Sequence, residues 1–169
     1  MSMSQTLRTT ITLLVLCTAL VIAAAWGWSA AMKPLPAKVD RPVCVDTSVD
    51  KGDKVYPQQV TVSVFNAGGR EGLAGRTMQL FKDRGFVNGS SGNAASARVD
   101  RVAIWTADPT SPDVRLVASY LGKRTEIERR DGGGTGVTVI VGDKFTDLRK
   151  GLPSVVAAAD ARICSPPVD

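Results

Sequence analysis

Strands alternating with helices predict an α/β domain of two layers, with helices covering a mixed sheet and one apolar helix ahead of it. Three observations carry that expectation. There is an uncharged run of 22 residues from Ile11 to Met32, there are two segments with a single apolar helical face, and short β-branched runs lie between them. The 169 residues give room for one domain plus accessory segments, not for two full cores.

The apolar run comes first. As a helix it reaches about 33 Å, enough for a hydrocarbon core of about 30 Å. Trp26 and Trp28 sit near its C-terminal end, where indole rings favour the lipid–water boundary, and Lys33 and Pro34 stop it. A cleavable signal peptide is the competing reading, because Ser29-Ala30-Ala31 supplies small residues for cleavage after Ala31. The run is longer than a usual signal core, which favours an anchor. On either reading the rest of the chain is exported. Arg8 before the span is outnumbered by Lys33, Lys38 and Arg41 after it, so the charge count does not favour an N-inside arrangement. The short head and the cysteines point that way nonetheless. The expected organisation is a short cytoplasmic head at 1–10, a transmembrane helix at 11–32 in the plasma (inner) membrane, a stalk at 33–58, an α/β domain at 59–145 and a C-terminal tail at 146–169.

Pro34, Pro36, Pro42 and Pro57 make the stretch after the span read as a stalk without helical periodicity. Val60 to Phe65 alternates with period two, a strand. Asn66-Ala-Gly-Gly69 breaks it. From Glu71 to Arg84, Leu73, Thr77, Leu80 and Phe81 share a helical face, with Gly85 placed for a left-handed cap. Phe86-Val87 opens a second strand that runs into a polar loop, Asn88 to Ala97. Val99 to Trp105 is a third strand. Ser111-Pro112-Asp113 starts a second helix, with a hydroxyl cap, a first-turn proline and an acid at the positive end of the dipole. Val114, Val117, Ala118 and Leu121 form its apolar stripe, and Gly122 closes it. Thr125 to Arg129 is a short strand, Gly132 to Gly136 a mobile turn, and Val137 to Val141 the strongest strand. The order is β-α-β-β-α-β-β. Beyond Phe145, Pro153 to Arg162 suggests a short alanine-rich helix.

Cysteine and charge set the chemistry. Cys17 lies within the span as a small apolar residue. Cys44 and Cys164 flank the domain, and in an exported chain they read as a disulfide joining its two ends, the alternative being two free thiols. Of 21 Lys and Arg only Arg8 precedes the domain side, leaving 20 against 16 Asp and Glu. That surplus suits anionic wall polymers or lipid head groups, and many solvated surfaces share it. No pattern of basic and aromatic residues argues for nucleic acid.

Histidine is missing altogether, which removes the commonest general base and metal ligand. Two exported cysteines without histidine do not make a four-ligand zinc site. No Gly-x-Ser-x-Gly elbow appears, and the carboxylates are scattered. No cofactor, no metal and no enzymatic activity are expected. Gly68, Gly69, Gly72 and Gly75 invite a nucleotide-loop reading, but neither the dinucleotide fingerprint nor a P-loop fits their spacing. A tight turn from strand to helix explains them more simply. Free amides at that helix start, with Arg70 and Arg76 nearby, form a candidate anion or polymer site. Arg124, Arg129 and Arg130 form a second basic patch, or merely a solvated face.

Val62-Ser-Val-Phe-Asn-Ala-Gly-Gly-Arg-Glu-Gly-Leu-Ala-Gly-Arg76 and Leu80-Phe-Lys-Asp-Arg-Gly-Phe86 resemble the opening of the LytR C-terminal domain family. The resemblance continues through Arg101-Val-Ala-Ile-Trp105, Tyr120-Leu-Gly122 and Val137-Thr-Val-Ile-Val-Gly-Asp143, and covers about residues 59–145. With the span and flanking cysteines, the whole layout is similar to that of actinobacterial envelope-integrity proteins. The catalytic arginines and acids of the LytR-CpsA-Psr phosphotransferase domain have no counterpart here. The resemblance therefore implies a part in keeping the cell envelope intact and transfers no active site. The partners it implies are a cell-wall polymer or envelope-assembly proteins.

Overall fold

The computed structural model describes residues 5–32, 44–94 and 97–167. The chain divides into two compact units, Met1–Asp40 and Arg41–Asp169. The first contains one helix, α1 (Gln5–Ala31), with no acid in its first turn and no base in its last. Its stretch Arg8–Trp28 is long and apolar enough to cross a membrane, and its leucines, valines and tryptophans are exposed. A membrane anchor and a signal sequence both have this form.

The second unit contains β1 (Val45–Val49), β2 (Lys54–Val55), β3 (Thr61–Asn66), α2 (Leu73–Asp83), β4 (Val87–Asn93), β5 (Val102–Thr106), α3 (Pro112–Leu121), β6 (Glu126–Arg129), β7 (Val137–Val141), β8 (Val155–Val156) and β9 (Ala161–Ser165). From β3 to β7 the order is the β-α-β-β-α-β-β expected. The five strands lie in the order β4-β3-β7-β5-β6. β3 is parallel to β4 and β7, β5 is parallel to β6, and β5 meets β7 antiparallel, so the sheet is mixed.

Alternation places the two sheet faces in different surroundings. Val62, Val64, Val102, Ile104, Val139 and Val141 join Leu73, Phe81, Val114, Leu116, Val117 and Leu121 in one buried core, so both helices cover the same face. On the other face Ala103, Trp105 and Ile140 form a smaller cluster with Ala97 and Phe65. Phe86 joins the two helices edge-on, its ring centroid 5.3 Å from Phe81 and 5.1 Å from Tyr120. Interlocked rings of this kind add about 0.5–1.5 kcal/mol beyond their burial.

Two antiparallel ribbons widen the helix layer. β1 pairs with β9 and β2 with β8, and Val49, Val55, Val155 and Ile163 enter the main core. A disulfide joins Cys44 to Cys164, 120 residues apart, at the mouth of the β1–β9 ribbon. The chain between β7 and β8 is pinned along the end of α3. Arg149 N donates to Tyr120 O at 2.7 Å, Leu152 N to the Ser119 hydroxyl at 3.0 Å, and the Tyr120 hydroxyl to Leu152 O at 3.0 Å.

Four expectations need correction. The stalk expected over 33–58 contains β1, β2 and a 3-10 turn at Pro57–Gln59, because β9 and β8 supply strand partners for it; residues 33–43 of that stretch lie outside the described residues. The polar loop expected from Asn88 is the edge strand β4 as far as Asn93, held by a parallel ladder to β3. The helix expected from Pro153 to Arg162 is replaced by β8 and β9, since pairing across the domain outweighs the helical preference of three alanines. Ser111 does not cap α3 with its hydroxyl, which donates instead to the Asp113 carboxylate.

Candidate functional site

The sheet has two ends, built on opposite principles. At the first, β3 delivers Asn66 and the glycine loop, and β7 delivers Gly142 and Asp143. Asn66 shapes the loop by accepting from Gly68 N at 2.9 Å and donating to Arg70 O at 2.8 Å. The loop thereby points two backbone N–H groups outward, an arrangement that attracts anions. The chain fills that nest itself. Gly69 N and Arg70 N each donate to the Asp143 carboxylate at 3.1 Å. The Arg70 guanidinium donates to Asp143 O at 3.1 Å and to Phe145 O at 3.0 Å. A Cβ at Gly68 would run into the Asp143 carboxylate, and one at Gly142 into the carbonyls of Val99 and Asp100. The two glycines are therefore what lets the loops close on each other.

The basic residues singled out from sequence do not converge. Arg70 is taken up by this latch. Arg76 is exposed on α2. Arg124 borders a small cleft of about 270 Å³ with Asp100, Arg101, Glu126 and Lys144. Lys144 pairs there with Asp100 at 2.5 Å, both side chains largely exposed. The pairing raises the Lys144 pKa and lowers that of Asp100. Arg129 ends β6 and Arg130 follows it, at the other end of that strand. Arg130 is also engaged, its guanidinium carbon 4.1 Å from the centre of the Trp105 ring.

The second end of the sheet is open. A cleft of about 660 Å³ lies where β5 ends, walled by Trp105, by Asp108 in the following loop, by Asp113 in the first turn of α3, by Asp131 in the glycine turn, and by Asp46 and Arg162 on the disulfide-closed ribbon. The glycine turn, expected to be mobile, is packed against the sheet: Thr135 O accepts from the Ser63 hydroxyl at 2.6 Å, and a Cβ at Gly134 would meet Ser63 and Phe65. Cys164 also faces the cleft, so the disulfide braces its wall.

Four carboxylates border the cleft with Arg162, Arg130 covers its Trp105, and Asp108 and Asp113 are shifted in opposite directions. Thr110 donates to Asp108 Oδ1 through its hydroxyl at 2.7 Å and its N–H at 2.9 Å, which lowers the Asp108 pKa. Burial pushes the Asp113 pKa up, against the hydrogen bonds from the Ser111 hydroxyl and from Val114 N at 2.8 Å, and nearby Asp108 adds to the rise. Among the described residues no three His, Cys, Asp or Glu side chains lie close enough to hold a metal ion. The cleft is suited to binding through charge and hydrogen bonds.

Sequence reasoning left the carboxylates scattered, with Asp113 as an acid at a helix start, and gave Asp46, Trp105 and Arg162 no part in a site. No local signal marks them, because they come from distant segments that only the fold gathers.

Among solved structures, the chain is similar to the soluble domain of a conserved hypothetical secreted protein from Mycobacterium marinum. The two are 19% identical with a TM-score of 0.44, over 66% of this chain and 79% of that one. A search of curated proteins returned no significant match. The family model described as LytR cell envelope-related transcriptional attenuator matches residues 59–145, from the residue before Val60 to the end of the latch. The chain belongs to that LytR C-terminal family.

Proposed function

We propose that this chain is a single-pass protein of the plasma membrane whose α/β domain stands on the extracytoplasmic side and supports cell-envelope integrity without catalysing a reaction. Residues 1–10 would form the cytoplasmic head and residues 11–32 the anchor, with the chain up to Cys44 as tether. The domain would bind a cell-wall polymer and hold it near the membrane. The observation that carries this reading is a disulfide closing an envelope-family domain behind a membrane-length apolar helix. Structural disulfides persist in oxidising compartments outside the cytoplasm.

The filled amide nest argues against an enzyme acting on phosphorylated wall lipids, which would need those N–H groups and Arg70 free. Co-sedimentation of the oxidised full chain in detergent with purified insoluble cell walls, at low and high salt, tests the proposal. Pelleting that weakens with salt is expected for a binder using charged groups. A chain that stays in the supernatant under both conditions would remove polymer binding and direct the search to a protein adaptor role.

A further inference from the structure

The five-stranded sheet ends in two unlike edges. β6 is short, and Glu126, Glu128 and Arg129 place charge along it. Charge on an edge discourages a further strand from pairing there. β4, at the opposite edge, has seven residues and pairs only with β3 among the described residues. From Phe86 to Ala97 there is no charged residue and no proline. The side chains of Asn88, Ser90, Ser91 and Asn93 are exposed. Such an edge offers a row of open N–H and C=O groups to another extended chain.

The sequence of β4 suits one partner above others, a second β4. Asn88-Gly89-Ser90-Ser91-Gly92-Asn93 reads the same in both directions. Antiparallel pairing about a two-fold axis between Ser90 and Ser91 sets Asn88 against Asn93, Gly89 against Gly92 and Ser90 against Ser91. Each residue then meets one of its own kind, and the uncharged edge brings no like charges together at the axis. The glycines have reasons inside the domain, because a Cβ at Gly89 would meet Ser63 and one at Gly92 the Phe65 ring. The exposed asparagines and serines have no such reason.

The backbone favours the same register. Val87 N donates to Val60 O at 3.0 Å and Ala94 N to Asn66 O at 2.8 Å, so both amides point at β3. Alternation turns the backbone groups of Asn88 and Asn93 the other way, towards the open side. Residues separated by an odd number of positions in a regular strand would point in opposite directions. Here a bulge places Gly89 and Ser90 against Ser63 alone, and the Ser63 hydroxyl accepts from Ser90 N at 3.0 Å. That extra residue is what turns both asparagines outward. Opposite each other across the axis, Asn88 of one copy and Asn93 of the other can exchange both N–H···O bonds, and the two-fold repeats the exchange.

We infer that β4 pairs antiparallel with the β4 of a second copy of this chain, joining two five-stranded sheets into one. The inference goes beyond the proposed envelope role and stands without it. A contact of one short strand is small beside that of a permanent dimer, so the pairing is weak and reversible in solution. Anchors in one membrane, as proposed above, would raise the effective concentration of the two copies.

The test uses the full chain in detergent with Cys17→Ser, which removes the exposed thiol of α1. Asn88→Cys and Asn93→Cys are placed in separate chains and treated with a short thiol cross-linker. In the inferred register opposite Cβ atoms stand about 5 Å apart, whereas two copies of position 88 stand about 17 Å apart. A mixture of the two variants should therefore give at least about tenfold more cross-linked dimer than either variant alone. Ser91→Lys in both chains should lower that yield about tenfold by setting two ammonium groups near the axis, and Ile127→Lys on β6 should leave it unchanged. Equal yields from the mixture and the single variants, or a yield indifferent to Ser91→Lys, overturn the inference. A second measurement needs no substitution: amide hydrogen exchange at Asn88 and Asn93 should slow at least about threefold between about 10 μM and about 1 mM chain, while exchange along β6 stays constant. Exchange at the two asparagines that is independent of concentration overturns the pairing. Slowing there without the cross-link of the mixture overturns the antiparallel register.

Discussion

The two ends of the sheet use the same chemical groups to opposite effect. At the first, a carboxylate, two amides and a guanidinium find one another, and the loops after β3 and β7 close into a latch. At the second, four carboxylates border one cleft with Arg162, Arg130 lies over the Trp105 ring, and the indole N–H is left without an acceptor among the described residues. Groups that satisfy one another hold a fold together, whereas groups left unmet on a cleft wall are available to something else. The glycines and Arg70 that carry the family resemblance belong to the first kind. The difference assigns the recognisable motif to architecture and moves the search for function to the opposite end.

The contrast can be broken by substitution. The largest effect should come from Cys44→Ser with Cys164→Ser. The bridge closing the open end spans 120 residues. Its loss should reduce the stability of the domain by about 4–5 kcal/mol in the chain-entropy account, measured by thermal or urea unfolding. A much smaller loss would mean that β1 and β9 hold the ribbon without it. Next is Gly142→Ala, which drives a methyl group into the Val99 and Asp100 carbonyls. It should cost about 2–4 kcal/mol, measured by urea unfolding.

The smallest effect on stability, and the one of opposite sign, belongs to Asp113→Asn. Burial raises the Asp113 pKa in the folded state, so the folded chain holds its proton more tightly than the unfolded chain does. Stability attributable to this group is therefore greatest in acid and falls as pH rises through the raised value. Asparagine escapes that loss. Wild type and variant should melt together at the acidic limit and then diverge, the variant higher, as pH climbs to neutrality. A cleft residue whose replacement stabilises the fold would separate the two ends cleanly. If the variant melts lower at neutral pH, Asp113 belongs with the latch as a structural group.

Much of the core was legible because its signals are local. Period two from Val60 to Phe65 and Val137 to Val141, and the apolar faces of α2 and α3, follow from residues close along the chain. What escaped depends on distant partners. β4 is an edge strand of Asn, Gly and Ser with mostly exposed side chains, so it lacks apolar alternation and is recognisable only through its ladder to β3. Ala157, Ala158 and Ala159 suggest a helix, yet the flanking residues are drawn into pairing with Lys54–Val55 and Val45–Val49. Arg70 invited an anion because its two carbonyl partners lie more than seventy residues ahead. The cleft was illegible for the same reason, its wall being assembled from β1, β5, α3, the glycine turn and β9.

One feature of the ribbon governs how the domain would carry force. On the proposed membrane reading, the chain would reach the domain at Cys44, which is bonded covalently to Cys164 on the neighbouring strand. Asp46 and Arg162, on the cleft wall, stand two residues from those cysteines. If a rigid wall is gripped in the cleft, tension between wall and membrane passes along a few residues of ribbon and across a sulfur–sulfur bond. A pull arriving at Cys44 would therefore load both strands of the ribbon together through the bridge, instead of peeling β1 from β9 from a single end.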